Sequence, residues 1–269
     1  MTRVMVCTPT LDGRVDCEFV VALNRTADAA RLRGTEVEIV FMRSSEIWHA
    51  RNSFVDIFLK SRADVLCQID ADESWTVEDF EAVLAGVQTP EAPIVAAPVA
   101  LKRFDWGAVI ELAKRGAPLD AIERAAPTSF NVSFDERQTR GFRIGAWEFL
   151  EVAIVGAGLI AARRDALEKI AAVSPRYRTM EGAELAHCFP VEISRGYLQS
   201  EDQGFCRRAR QAGLPIHVFS GARVSHHGSF AFGSDFGERL KREQTIHSAP
   251  QYGVLNEIQP ITEVPRAAE

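Results

Sequence analysis

A short, largely apolar run from Val65 to Ile69 is the feature that most restricts how this chain can fold. A run of this kind has no polar face, which is typical of a strand buried on both sides of a parallel sheet. Open sheets of that class hold their ligands at the carboxyl ends of the strands. Asp70 and Asp72 follow the run directly, so the pattern places both carboxylates at the ligand-binding edge.

Strand and helix patterns alternate around this run. Strands are predicted at 4–7 and 37–42, with Thr8-Pro9-Thr10 ending the first as a turn, and helices at 16–32 and from Ser44 or Ser45 to Lys60. This order predicts an α/β fold with a mostly parallel central sheet, right-handed crossovers and helices on both faces. Further along we expect strands at 94–99, 151–162, 222–224 and from Pro215. We expect helices at 106–115, 119–125, 164–172, 200–212 and from 236. Residues 126–150 are predicted to form an antiparallel or loop-rich insertion, and residues 174–199 a long surface loop.

Composition narrows the functional class. A net charge of −6 argues against non-specific binding of nucleic acid, which needs a basic face. Five cysteines with no Cys-x-x-Cys pair indicate neither a disulfide framework nor a zinc site. No apolar run reaches membrane length, so we expect no membrane span and a cytoplasmic protein. We expect one domain over 1–235, divided into halves at 1–100 and 101–235, and a C-terminal helix and tail over 236–269.

The two carboxylates of the Asp70-Ala71-Asp72 segment are one residue apart and repel each other unless a cation lies beside them. Hard oxygen ligands in this arrangement suit Mg²⁺ or Mn²⁺ carrying a diphosphate. The alternative is that these acids, with Glu73, only cap a helix that starts near Trp75, since acidic residues are stabilised at the positive end of a helix.

Two later segments carry further polar candidates. Glu201 and Asp202 are the first residues of a predicted helix, directly after Ser200. Acids are common in the first turn of a helix for structural reasons alone. The functional interpretation makes Asp202 a general base for an acceptor hydroxyl, with Glu201 binding the acceptor or orienting its neighbour. His226 and His227 are adjacent on an extended segment and face opposite ways, so only one of them can join a metal site.

The segment Gly156-Ala157-Gly158 has the spelling of a dinucleotide-binding turn, which would indicate an NAD- or flavin-dependent oxidoreductase. That fingerprint also needs a second strand ending in an acidic residue about 20 positions later. Residues 176–180 supply neither feature. Small residues here also allow close approach of backbone or substrate, or simply a tight bend.

Taken in order, these stretches resemble the GT-A glycosyltransferases of the large family-2-like group. The resemblance covers about residues 3–232, and Lys102 to Trp106 and the His-x-Gly-Ser-Phe segment look like a bacterial and bacteriophage subgroup. It is carried by Thr8-Pro9-Thr10, Ala50-Arg51-Asn52, Ile69-Asp70-Ala71-Asp72, Gly156 to Arg164, Ser200 to Arg208, and His226-x-Gly228-Ser229.

The resemblance implies a metal-dependent hexosyltransferase that uses a nucleotide-sugar, with UDP as the expected nucleotide. It places Asp72, Asp70 and His226 around Mn²⁺ or Mg²⁺, and makes Asp202 the base of an inverting displacement. Retaining relatives also carry a late metal-binding histidine, so the stereochemistry stays open. The acceptor stays open too, as a saccharide, a small molecule or a modified DNA base, and so does a non-catalytic nucleotide-binding module. The residues expected to contact the nucleotide-sugar are Thr8, Pro9, Thr10, Arg51, Asp70, Ala71, Gly156 and Gly158.

Overall fold

One mixed sheet of eight strands runs through the structure, a computed structural model that describes residues 2–125, 129–135, 140–194, 196–233 and 235–246. The helices are α1 (Cys17–Leu32), α2 (Ile47–Lys60), α3 (Val77–Val87), α4 (Trp106–Lys114), α5 (Leu119–Ala125), α6 (Arg164–Val173), α7 (Glu201–Gln211) and α8 (Phe236–Ile246). The strands are β1 (Arg3–Thr10), β2 (Glu36–Arg43), β3 (Val65–Ile69), β4 (Glu73–Ser74), β5 (Ile94–Ala96), β6 (Val132–Ser133), β7 (Gly141–Ile144), β8 (Trp147–Val152), β9 (Ile154–Val155), β10 (Leu159–Arg163), β11 (Arg176–Arg178), β12 (Glu184–Ala186), β13 (Glu192–Ser194), β14 (Tyr197–Gln199), β15 (Ile216–Phe219), β16 (Ser225–His227) and β17 (Ala231–Gly233).

The strand order in the large sheet is β2-β1-β3-β10-β5-β15-β8-β7. Strands β1, β2, β3, β5, β7 and β15 share one direction, while β8 and β10 run the opposite way. The predicted α/β class, with most strands of the central sheet pointing one way, is therefore confirmed. The antiparallel strand β10 lies between β3 and β5, so residues from both predicted halves of the chain share one sheet.

Apolar cores lie on both faces of this sheet, as predicted. One contains Phe54 and Phe58 of α2 together with Ile170 of α6, and the other contains Phe19 of α1 with Phe80 of α3. Alternate side chains of β3 enter the two cores, which explains why its sequence reads as an almost continuous apolar run.

Two predictions near the amino terminus were wrong. Thr8-Pro9-Thr10 is not a turn, because β1 stays paired with β2 up to Thr10 and Arg43. The ladder with β3 ends at Cys7, so on that side the missing N–H of Pro9 removes no hydrogen bond. Neither serine caps α2, whose N-cap position is Glu46 without a side-chain hydrogen bond.

Three predictions in the second half also need correction. Residues 151–162 are not one strand, because β8 pairs with β15 while β10 lies between β3 and β5, and one continuous strand cannot occupy both places. Residues 174–199 are not a plain loop, since they contain the hairpins β11–β12 and β13–β14. The strands of these hairpins are short and bury few side chains, so their sequence does not show the alternation of apolar and polar residues that indicates a strand. The strand expected at 222–224 falls instead at Ser225–His227.

The helices expected at 164–172 and 200–212 are confirmed as α6 and α7. The predicted C-terminal helix is present as α8, and the tail after residue 246 lies outside the described residues. None of the described helices combines the length and the apolar character that crossing a membrane requires.

Arg164, the first residue of α6, fixes the end of α2. Its guanidinium donates hydrogen bonds to the carbonyl oxygens of Phe58, Leu59, Ser61 and Ala63, and lies 4.6 Å from the centre of the Phe58 ring. Carbonyls at a helix end have no partner within the helix, so this one side chain supplies donors to several of them, although the Phe58 carbonyl also accepts from the Ser61 N–H and hydroxyl.

We predict that Arg164→Met lowers the free energy of unfolding by about 2–3 kcal/mol, because hydrogen bonds from a charged group are lost and carbonyls are left unpaired. Urea unfolding measures the change. Arg62→Met, at an exposed arginine nearby, is the matched control and should leave stability unchanged within about 0.5 kcal/mol. Equal effects in the two variants would contradict this role for Arg164.

Candidate active site

The acids after β3 do not cap the next helix. Helix α3 begins at Val77, and its cap is a reciprocal pair in which the Thr76 hydroxyl accepts from the Asp79 N–H and the Asp79 carboxylate accepts from the Thr76 N–H. Asp70, Asp72 and Glu73 lie before this cap and take no part in it. The structural alternative for these acids is therefore excluded.

A small three-stranded sheet brings the late histidines to this acidic segment. Strand β16 pairs with β4, placing His226 opposite Glu73, and the His227 N–H donates to the Asp72 carbonyl oxygen at 2.6 Å. His226 Nδ1 donates to the Ala100 carbonyl at 3.0 Å, and its Nε2 lies 3.5 Å from Asp72 Oδ1. The prediction that the two histidines face opposite ways is confirmed, since His227 Nε2 instead meets the Ser74 hydroxyl at 2.7 Å.

Asp72 is ionised by its surroundings. Burial opposes its charge, but hydrogen bonds from His226 and Lys102 outweigh that effect and lower its pKa to about 2. The Lys102 ammonium contacts Asp72 Oδ2 at 2.5 Å, leaving Oδ1 to face the imidazole. The Lys102–Asp72 pair is substantially exposed, so it is a weak interaction that a ligand can replace.

Arg51 lies at the centre of the acidic residues. It is 1% exposed, and its Nη2 donates to Asp70 Oδ1 at 2.8 Å while its Nε lies 3.7 Å from Glu201 Oε1. Gln68, the one polar residue of β3, accepts from Arg51 Nη1 at 3.4 Å. A buried cation of this kind joins α2, β3 and α7, and its charge makes it possible to bury several carboxylates together.

Two of these carboxylates hold their protons more tightly than usual. Burial raises the pKa of Asp70 against the opposing charge of Arg51, and burial with the charges of Asp70 and Asp72 raises the pKa of Glu73 well above its ordinary value. Glu73 occupies the space beside Gly158, where an added Cβ would lie 2.0 Å from its Oε1. Gly158 therefore permits close approach, as expected, but the group that comes close is the carboxylate of Glu73 and not a substrate.

Asp202 has the properties of a base. Burial, with the charges of Glu201 and Asp70, raises its pKa to about 7 despite the opposing charge of Arg51. Its Oδ2 accepts a long hydrogen bond, 3.5 Å, from Asn131 Nδ2, and a hydrogen bond from the Ala157 backbone also opposes the rise in pKa. Phe130 pairs with Ala100, the residue whose carbonyl holds His226, and the next residue along the chain is Asn131, which contacts Asp202. One short segment therefore links the two parts of the site.

The donor set fits a dication completed by a ligand. No three His, Cys, Asp or Glu side chains of the described residues are gathered closely enough to hold an ion alone. Asp72 and His226 do face each other, and because Nδ1–H bonds a carbonyl, Nε2 is the nitrogen that would ligate an ion once the ion displaced the proton between it and Asp72. Mg²⁺ and Mn²⁺ are commonly held by one or two carboxylates plus substrate phosphates, which matches this pair.

The remaining residues that were predicted to contact the nucleotide-sugar lie around this cluster and are less accessible to solvent. Thr8, Pro9 and Thr10 are all buried in β1, at its carboxyl end. The Ala71 carbonyl accepts from the Asp16 N–H at the start of α1, and Gly156 lies beside Asn131 and Asp202. The turn at Gly156 to Gly158 leads into β10 and not into a helix, so it lacks the helix amino terminus on which a dinucleotide fingerprint depends.

Three side chains of the site were missed by the sequence interpretation. Gln68 carried a signal, as a polar residue inside a buried strand. Glu73 was considered only as a helix cap, and nothing in its neighbours indicated that its carboxyl would be fully buried. Asn131 gave no signal at all, because its position depends on the β6–β9 pairing, which connects distant residues.

No protein-family model and no curated protein sequence matches this chain. Among solved structures, A197 from STIV is similar over 85% of this chain and 87% of its own, with a TM-score of 0.49 and 17% identity. A mutant Drosophila β-1,4-galactosyltransferase 7 with manganese, UDP-Gal and xylobiose is similar over 96% of this chain and 78% of its own, with a TM-score of 0.41 and 12% identity. GalNAc-T7 with UDP, GalNAc and Mn²⁺ is similar over 84% of this chain and 44% of its own, with a TM-score of 0.44 and 12% identity.

We predict that Arg51→Met lowers the free energy of unfolding by about 3–5 kcal/mol near pH 8, because buried carboxylates lose their counter-charge. Their pKa values in the folded state then rise further above the unfolded values, so the deficit relative to the parent protein should shrink as the pH falls toward about 5. Urea unfolding at both pH values measures it.

The control for this prediction is Lys60→Met, which removes a surface ion pair with Asp56. That pair should contribute less than about 1 kcal/mol, with no comparable dependence on pH. An Arg51 deficit that stayed constant from pH 8 to pH 5 would show that lost packing, and not lost charge, was the cause.

Proposed function

We propose that this protein is a GT-A glycosyltransferase that moves a hexose from a nucleotide-sugar, with UDP as the expected nucleotide, to an acceptor hydroxyl. The observation that carries the proposal is the pair Asp72 and His226, in which the imidazole Nε2 is held 3.5 Å from a carboxylate oxygen by the hydrogen bond of Nδ1 to Ala100. A carboxylate and an imidazole held in this way are ligands that suit a dication bound to a diphosphate.

In this proposal Asp72 and His226 hold Mn²⁺ or Mg²⁺, and Asp70 contacts either the ion or the ribose. A bound ion would neutralise the negative charge that develops on the departing diphosphate. Lys102 exchanges its contact with Asp72 for the phosphates, which is possible because the pair is exposed. Thr8, Pro9, Thr10, Ala71 and Arg51 surround the nucleoside, so residues 1–100 bind the nucleotide-sugar and residues 101–235 the acceptor.

Asp202 removes the proton in an inverting displacement. Its carboxylate takes the proton of the acceptor hydroxyl as the oxygen forms a bond to the anomeric carbon. The bond from that carbon to the diphosphate oxygen breaks, and the nucleoside diphosphate leaves with the electron pair. Glu201 carries negative charge beside Asp202 and pairs with Arg51, so it maintains the raised pKa and the position of the base.

We predict that Mn²⁺ and UDP together raise the melting temperature by about 5–10 °C at ~100 times their dissociation constant, while each alone has a much smaller effect. The effect depends on a ternary arrangement, so Asp72→Ala and His226→Ala should abolish it. Differential scanning fluorimetry measures the shift.

Asp56→Ala, at a surface carboxylate of α2, is the matched control and should keep the full shift. A shift that survives Asp72→Ala would remove the metal site from the proposal. Bound NAD(H) or flavin in the purified protein would favour an oxidoreductase instead.

We predict that kcat/KM rises with pH and levels off above about 7, because Asp202 acts only when deprotonated and its pKa is about 7. Asp202→Asn should lower kcat about 100–10,000-fold and remove this limb of the profile, while the thermal shift by Mn²⁺ and UDP persists. Release of UDP from UDP-sugars measures the rate. A variant as active as the parent would remove Asp202 as the base, whereas no release of UDP by the parent, with Asp202→Asn leaving every activity unchanged, would favour the non-catalytic nucleotide-binding module.

A further inference from the structure

Four aromatic side chains gather beside the Lys102–Asp72 pair. Phe104 lies 5.3 Å from Trp106, 5.5 Å from Phe230 and 5.1 Å from Phe232, measured between ring centres. Phe104 and Trp106 come from the segment after β5, whereas Phe230 and Phe232 come from the hairpin of β16 and β17. Two separate elements therefore converge to build one surface, which we call the aromatic platform.

The platform leaves large apolar groups in water. Trp106 is 64% exposed and Phe230 61%, while Phe232 beneath them is 7% exposed. Exposed apolar surface costs free energy, and single exposed residues are ordinary, but rings clustered on a buried base are a mark of binding surfaces. The buried Phe232 holds the ring of Phe104 in place, so the exposed rings rest on a rigid support.

The platform is continuous with the proposed site for the diphosphate. Lys102, which contacts Asp72, precedes Phe104 by two residues, and His226 is in the strand that leads to Phe230. A Cβ added to Gly228 at the hairpin tip would lie 3.4 Å from the Lys102 side chain, so the two elements are in close contact. Strand β5 lies on the opposite side of β3 from β1 and β2, which places the platform away from the proposed nucleoside site.

We propose that the aromatic platform binds the acceptor and that the acceptor is a saccharide, whose pyranose ring stacks its C–H face on Trp106 and Phe230. This inference rests on the proposed function and names the acceptor class for the same site. Aromatic faces carry partial negative charge, which attracts the polarised C–H bonds of a sugar ring. Arg103 and Ser229 are exposed, directly precede Phe104 and Phe230, and offer hydrogen bonds to the ring hydroxyls, as expected of a site that combines aromatic walls with a few polar groups.

The saccharide is favoured over a lipid by the composition of this surface. The exposed groups nearest the site are flat rings bordered by polar side chains, and the first exposed aliphatic side chain on the helix, Ile110, lies one turn further along α4. Such a surface suits a ring with one apolar face and polar edges.

The test compares transfer with hydrolysis. Full-length protein with Mn²⁺ is supplied with UDP-glucose, UDP-galactose or UDP-N-acetylglucosamine, alone or with the methyl glycosides of glucose, galactose, mannose and N-acetylglucosamine, and release of UDP is measured. At least one glycoside should accelerate release over hydrolysis by water. Trp106→Ala should lower the ratio of transfer to hydrolysis at least tenfold through a higher KM for the glycoside, and Trp106→Phe should restore most of it.

A second measurement does not depend on turnover. The accepted glycoside should quench tryptophan fluorescence of the protein loaded with Mn²⁺ and UDP, and the quenching should be absent in Trp106→Phe. Leu32→Ala, at an exposed leucine at the end of α1, is the control and should leave transfer and quenching unchanged.

Two sets of results would overturn the proposal. If Mn²⁺ and UDP raise the melting temperature and the UDP-sugar is hydrolysed, but no glycoside accelerates release or Trp106→Ala leaves the ratio intact, the platform is not a saccharide site although the proposed function stands. If Mn²⁺ and UDP give no shift and no UDP-sugar is hydrolysed, the proposed function fails and the acceptor site fails with it.

Discussion

A single buried guanidinium holds the acidic centre of this protein together. Arg51 contacts Asp70 and lies close to Glu201, and its charge also acts on Glu73 and Asp202. Several carboxylates without such a partner would have to take up protons, because a buried unpaired charge costs several kcal/mol. With it, burial raises the pKa of Asp202 only to about 7, where it can accept a proton. The chemistry of the site therefore depends on a residue with little access to solvent.

The second constraint is backbone pairing. Strand β16 reaches the acidic segment by pairing with β4, and this places His226 opposite Glu73. Because side chains alternate along a strand, a shift of one residue would direct His227 toward Asp72 in place of His226. The register is fixed by the bond from the His227 N–H to the Asp72 carbonyl and by the contact of His227 with Ser74. His227 thus holds the strand in place, and the register that it fixes turns His226 toward Asp72.

Sequence patterns predicted what depends on local periodicity. The buried run of β3 placed Asp70 and Asp72 at the edge of the sheet, and the two-residue period of a strand separated the roles of His226 and His227. Patterns could not predict contacts made between distant elements. The bond between Asn131 and Asp202, the burial of Glu73 against Gly158 and the position of β10 between β3 and β5 all arise from tertiary packing. The hairpins between 174 and 199 were missed because their strands are too short and too exposed to show the alternation of apolar and polar residues that indicates a strand.

The small sheet of β4, β16 and β17 affects how the site forms and how it opens. Asp72 is synthesised long before His226, so a growing chain carries the acids without the imidazole until most of the protein has emerged. The three short strands are also separate from the eight-stranded sheet, and elements of this kind open locally at a lower free energy than the main core. A brief detachment of β16 would withdraw His226 and disturb the adjacent rings in one movement, while the eight-stranded sheet stays folded.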